Sequence, residues 1–257
     1  MAGPVHDPGG IPAGISIAVE HAGDATMWLT GRLCVADCAA VGAVLDRLLR
    51  DADCVTIDVG GLTVEQPAAL DVLTTALLDA GGWPVAKLAV RGTDRAVLRA
   101  LHLSGVSRSV AVAGSSAGAR RACDRRPAQV RARQALPPEP ESVQRARRFL
   151  EIRLALWAYP GATAPEAVQV VSELVTNAVE HAGTPLHVDV VLDDTALQCR
   201  VRDYSSELPI LDEPCTRLQG GLGLHIVDGL ATDWGCTPHP DGKTVWARFA
   251  AEPPLAG

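Results

Sequence analysis

Within the stretch VSELVTNAVEHAG, Glu173, Asn177 and His181 recur at every fourth position of an otherwise apolar helical pattern. At 3.6 residues per turn, that spacing lines an acid, an amide and an imidazole along one helix face. Burying such a stripe without partners is costly, so the face is expected to serve a ligand or an interface. A carboxylate beside an amide oxygen suits a hard cation such as Mg2+, which takes oxygen ligands and keeps several waters. Two further stretches bear on the same chemistry. In RVRDYSSELP, Asp203 ends an apolar strand pattern and enters a loop, where its carboxylate can accept a hydrogen bond from a ligand amine. In QGGLGLHIVDGLA, Gly220, Gly221 and Gly223 lead into a helical pattern, and approachable backbone amides at a helix N-terminus suit phosphate. Each feature alone is commonplace: a strand-end Asp is usually a turn residue, and a Gly-rich turn usually just starts a helix. Together, in this order, they specify the cation, base and phosphate sites of a nucleotide.

The elements that must position these residues are legible on either side of them. SVQRARRFLEIRLALWA and APEAVQVVSELVTNAVEHAG read as helices, LHVDVVLDD and ALQCRVRDY as adjacent strands, LGLHIVDGLA as a helix, and TDWGCTPH and KTVWARFA as closing strands. This describes helices on one face of a mixed sheet. The first half alternates instead. ISIAVEHA and ATMWLTGRL read as strands joined by a hairpin turn at AGD. VADCAAVGAVLDRLLRD is a helix, CVTIDV a short buried strand, and QPAALDVLTTALLDAGG a helix stopped by Gly-Gly. VAKLAVRG, TDRAVLRALHLSG and VSRSVAVAG complete a strand–helix–strand series, which implies a largely parallel sheet. The fold class is α/β in both halves.

The two halves are separated by a composition break over residues 118–141, rich in Arg, Ala and Pro and ending in PPEP. The expected division is a flexible N-terminus over 1–14, a domain over 15–124, an Arg/Pro-rich linker over 125–139, a second domain over 140–251 and a tail over 252–257. Arg in the linker could contact RNA or an acidic partner, but a solvated linker is the plainer reading. A net charge of −7 argues against a general nucleic-acid binder. No apolar run approaches the ~18 residues that span a bilayer. No basic segment followed by an apolar one opens the chain, so no membrane association and a cytoplasmic protein are expected. The seven cysteines are scattered and form no CxxC pair, which fits reduced, buried thiols rather than a metal site.

The constellation resembles the GHKL ATP-binding fold, and within it the anti-sigma-factor serine kinases of bacteria, over roughly residues 140–250. SELVTNAV-x-HA is its most specific motif. The resemblance implies ATP and Mg2+ as cofactors, with Glu173 as the catalytic base that activates the acceptor hydroxyl and Asn177 as the Mg2+ ligand. It implies Asp203 at the adenine amino group, Gly220, Gly221, Leu222, Gly223 and Leu224 in the ATP lid, and Thr244 of GKTVWA as a polar contact near the adenine. His181 is expected to support the helix end. The DxGxG box that follows such an Asp in histidine kinases is replaced here by Tyr204, Ser205, Ser206 and Glu207. That favours the anti-sigma branch, where a Ser/Pro-rich loop is common. Glu180 stands where this branch often carries a basic residue, and it would repel phosphate if it faced it.

In the first half, CVTIDVGGLTVEQPAALDVLTTA looks like the centre of a STAS domain, the fold of anti-sigma-factor antagonists. That family opens the helix with Asp-Ser-Ser-Gly and is phosphorylated on the second Ser. Here the four positions are Gln66, Pro67, Ala68 and Ala69, so Ala68 has no hydroxyl to accept phosphate. The resemblance implies a serine/threonine protein kinase that regulates transcription by partner switching. Its substrate would be a separate STAS antagonist, and its own STAS-like half an unswitchable docking or inhibitory module. Partners are expected to be an antagonist, a sigma factor or both, with homodimerisation open. The alternative is a non-catalytic ATP-binding protein that sequesters a sigma factor or antagonist.

Overall fold

The computed structural model describes residues 14–159, 162–206 and 222–250. The chain divides into two units, residues 1–127 and 128–257.

In the first unit, β1 (Ile15–Ala22) and β2 (Asp24–Leu33) form the expected hairpin, turned at Gly23 with φ 84°. Alternate residues of β2 are buried, Ala25, Met27, Leu29 and Leu33 among them, as a sheet with one packed face requires. β3 (Val55–Val64), β4 (Leu88–Arg91) and β5 (Ala111–Ala113) then add in parallel, giving the mixed order β1-β2-β3-β4-β5. The helices are α1 (Cys38–Asp51), α2 (Asp71–Asp79), α3 (Arg95–Leu103), α4 (Val106–Ser109) and α5 (Ser116–Cys123). A 3-10 turn, Pro67–Leu70, leads into α2. VSRSVAVAG, expected as one strand, divides: VSRS is α4, and only Ala111–Ala113 is strand. Gly105, left-handed at φ 78°, ends one helix and permits the next turn, and Val106 and Val110, four residues apart, are both buried.

The cysteines depart from the expectation of free thiols throughout. Cys54, just before β3, and Cys123, at the end of α5, are joined by a disulfide across 69 residues of sequence. Cys34, Cys38, Cys199 and Cys236 are free. No spacing signal announces that pair, because only the packing of α5 beside β3 and β4 brings the two positions together.

The second unit begins inside the expected linker. Gln129–Leu136 is β6, an edge strand antiparallel to β7 (Leu186–Asp193). Val130, Ala132 and Leu136 are buried while Arg131 and Arg133 alternate with them. Arg at every second position of an edge strand gives the strand a linker's composition, and the small apolar partners hide the period of two. The unit continues with α6 (Glu141–Leu156), α7 (Ala164–Asn177) and a single π turn (Ala178–Ala182). β7, β8 (Ala196–Asp203), α8 (Leu222–Leu230), β9 (Asp233–His239) and β10 (Gly242–Ala250) complete it. The sheet order is β6-β7-β8-β10-β9, and every described pairing is antiparallel where a mixed sheet was expected. Ala146, Leu150 and Leu154 of α6 and Val171, Leu174 and Val175 of α7 are buried, and α7 packs on β8 and β10. Among the described residues no helix is long and apolar enough to cross a membrane.

Candidate functional site

Helix α7 carries Glu173 and Asn177 four residues apart on one half-exposed flank, beside the fully apolar Val171, Leu174 and Val175. Gln169, one turn earlier, donates its side-chain amide to Glu173 Oε1 at 2.7 Å and so fixes the carboxylate's rotamer. Opposite this flank stands Gly223, in the first turn of α8. A Cβ placed on Gly223 would lie 3.0 Å from Glu173 Oε2 and 3.5 Å from Asn177 Oδ1. The missing methyl is what leaves room between helix start, acid and amide. The structure thus brings together Glu173, Asn177 and Gly223, from stretches that sequence alone could only set side by side.

His181 does not join them. The helix widens into the π turn after Asn177, and His181, within that turn, is exposed. Glu180 is also exposed, and a charge in solvent exerts little repulsion on a phosphate. Gly183, at φ 59°, ends the segment in the left-handed conformation.

Asp203 is the last residue of β8 and is 1% exposed. Sequence reasoning missed its partner. Lys243, one residue into β10, pairs with Asp203 across the strands and donates from Nζ to Oδ1 at 3.1 Å, itself only 6% exposed. The Ser205 backbone N–H donates to the same oxygen at 2.9 Å. A signal was present: in GKTVWARFA the positions Lys243, Val245, Ala247 and Phe249 share one phase of the alternation, and all four are buried. A lysine in a core-facing phase requires a counter-charge. Cys236 lies near this pair; burial pushes its thiol up, Lys243 opposes that and Asp203 adds to it.

Gly242 completes the corner. Its φ is 144°, and a Cβ there would come 2.2 Å from the Asp203 carbonyl oxygen, so only glycine fits. Thr244 falls on the opposite face of β10 from Lys243. There it pairs with Arg202 and shares a 3.0 Å hydrogen bond with His239 Nε2, away from the face that carries Asp203. The expected role of Thr244 near an adenine is therefore not matched by its placement. Leu224 is buried within α8; Gly220 and Gly221 lie outside the described residues, as does the side chain of Leu222. Tyr204 follows Asp203 with its N–H on the Thr184 hydroxyl at 3.0 Å.

Among the described residues no cluster of three or more His, Cys, Asp or Glu side chains forms a metal cage. Mg2+ does not require one: it binds through one or two protein oxygens while phosphates and waters fill the remaining positions. Asn177 Oδ1 and Glu173 Oε2, facing the same gap at Gly223, are donors of that kind. In the first unit, Ala68 is exposed in the 3-10 turn before α2, a short polar-free helix start with no acceptor hydroxyl.

Residues 136–249 match the family described as histidine kinase-like ATPase domain, a span that runs from the end of β6 into β10. The match lies within the second unit, and a domain of that kind implies ATP binding. Among solved structures, the chain is similar to an anti-sigma factor antagonist from Mycobacterium paratuberculosis. The two are 19% identical with a TM-score of 0.39, over 44% of this chain and 97% of that one. It is also similar to the RsbU and RsbW domains of a Mycobacterium tuberculosis protein, at 19% identity and a TM-score of 0.36, over 47% of this chain and 33% of that one. The Bacillus cell fate determinant SpoIIAA in its phosphorylated form is 11% identical with a TM-score of 0.33, over 42% and 99%. No curated protein sequence matches the chain.

Proposed function

We propose that the chain is an ATP-dependent serine/threonine kinase of the anti-sigma-factor type, acting by partner switching on a separate STAS-fold antagonist. The observation that carries this reading is the convergence of Glu173, Asn177 and Gly223 on one gap, with Asp203 buried at the strand end on the helix-covered face. Glu173, held by Gln169, takes the proton of the acceptor hydroxyl. Asn177 offers an oxygen to Mg2+, which when bound neutralises charge on the transferring phosphoryl group. The Gly223 helix start lets backbone approach that group closely. Asp203 holds the base amine. Ala68 removes the acceptor position within the chain, so the substrate is another protein, and the first unit is a module that phosphorylation cannot switch.

A second reading, a non-catalytic ATP-binding protein that sequesters a sigma factor or antagonist, draws on one observation. Lys243 occupies Asp203 Oδ1, where it competes with a ligand amine. Incubation with labelled ATP, Mg2+ and candidate STAS antagonists separates the readings. Transfer to an antagonist that falls about a hundredfold to ten-thousandfold in Glu173→Ala, the range for removing a general base, supports the kinase. Loss of nucleotide binding in Asn177→Ala locates the cation site. ATP bound tightly with no transfer to any antagonist in the panel overturns the kinase in favour of sequestration.

A further inference from the structure

The face of the second unit's sheet turned away from its helices is organised by register into rows. One row runs Arg133, Asp189, Arg200, Trp246 and Gly235 across β6, β7, β8, β10 and β9. Arg131 and Arg248 belong to the row beside it, and Arg202 to the row on the other side. Five arginines therefore stand on one face of a unit whose residues 128–257 hold 11 Lys and Arg against 17 Asp and Glu, a net charge of −6. Asp189, Asp193 and Asp233 share the face, so it carries more cations than acids on a unit that is acidic as a whole.

The internal acids do not neutralise it. Asp189 pairs with Arg133 at 2.7 Å and Asp241 with Arg202 at 2.6 Å. Arg200 donates instead to the neutral Gln198 amide oxygen, and Arg248 to the Thr195 hydroxyl at 3.3 Å. Burial holds the Arg131 guanidinium below its ordinary range; Asp189 works against that, while Arg200 and Arg133 reinforce it. Among the described residues Arg131, Arg200 and Arg248 make no ion pair, although Asp189 lies in the field of Arg131 and Asp193 and Asp233 stand near Arg248, and these three arginines face an outside partner. The face is also flat and partly apolar. A Cβ on Gly235 would lie 2.8 Å from the Trp246 ring, so the glycine lets the indole lie down on the sheet. Strands about 4.8 Å apart place Arg133 and Arg200, two strands apart, roughly 10 Å from each other, the spacing of a surface rather than a small-molecule pocket.

We propose that this sheet face docks an acidic segment of a partner protein, with Arg131, Arg200 and Arg248 taking its carboxylates and Trp246 covering its apolar side chains. Carboxylate recognition by arginine forks and an aromatic anchor is the chemistry such a surface supplies. A second copy of this chain would present the same positive face and repel itself. A nucleic acid draws its affinity from many phosphates along an extended path, and beyond this patch it would meet a unit of net charge −6. An acidic segment confined to the patch escapes that repulsion, because screening at physiological salt confines the field to about 8 Å.

The test uses the full chain and a fluorescein-labelled peptide that alternates Asp and Glu with Leu and Val. Its controls are the same peptide with Asn and Gln in place of the acids, and a labelled single-stranded RNA. Binding to the acidic peptide is expected to weaken at least about tenfold in Arg131→Glu/Arg200→Glu, to weaken with rising salt and to persist in Arg131→Lys/Arg200→Lys. Trp246→Ala is expected to weaken it without changing the salt slope. Melting followed by circular dichroism checks the fold, and Arg200→Gln alone gives the same comparison should the double reversal not fold. Equal affinity for the acidic and amide peptides overturns the proposal, as does equal affinity of wild type and Arg200→Gln. RNA binding tighter than the acidic peptide, or a dimer in sedimentation that the reversal dissolves, overturns it in favour of a nucleic acid or a second copy.

Discussion

Each unit sets an aspartate against a cation on the neighbouring strand, and the two pairs are built differently. In the first unit Asp58 of β3 meets Arg91 of β4, its register partner, and Arg91 also reaches the Ser116 hydroxyl at the start of α5. Both side chains keep contact with water, at 27% for Arg91 and 15% for Asp58. In the second unit Lys243 and Asp203 are 7% and 2% exposed at the side chain. The first pair is a tie between strand and helix made by a planar fork that satisfies two acceptors at once. The second keeps a compact ammonium and a carboxylate out of water, where desolvation offsets much of their attraction. A pair of that kind is weak evidence for stability.

Three measurements break or sharpen that contrast. Lys243→Met strands a buried carboxylate and should cost about 3–5 kcal/mol in the second unit, read by chemical denaturation. A loss near that of the Arg91 variant below would put the two pairs on the same footing. Reducing the Cys54–Cys123 disulfide, or replacing both residues by Ser, should lower the stability of the first unit alone by about 2–4 kcal/mol. Melting of the separate units with and without reductant checks it; an equal shift in the second unit would mean that they do not respond separately. Arg91→Gln should cost only about 1 kcal/mol, because its pair retains solvent and a hydroxyl partner remains for Ser116 in water.

Much of the architecture could be read directly from periodicity. The β1–β2 hairpin, α2, α3 and α7 each have a clean period and a punctuating glycine or cap, α1 has a clean period alone, and each forms where expected. What escaped did so for specific reasons. Strand β6 was masked by arginines on its exposed phase, the same residues that make the sheet face basic. His181 obeyed the helical period in sequence and lies exposed in a π turn, which has no compositional signature. Of the candidate site, Glu173, Asn177 and Asp203 were legible as residue types, whereas Lys243 required taking the strand's phase seriously one residue before its apolar run. The disulfide was invisible because contact across 69 residues is a property of packing rather than of spacing.

The fit of Gly242 against the Asp203 carbonyl acts as a register stop. Antiparallel pairing between β8 and β10 could in principle slide, and a slide of one residue exchanges the faces of every side chain on the moving strand. Here that exchange would turn Lys243 outward and swing Thr244 inward, replacing an ammonium opposite Asp203 with a neutral hydroxyl. A position with no side chain therefore selects which of two chemistries the strand end presents. The Lys243–Asp203 pairing is thus fixed at the corner of a hairpin.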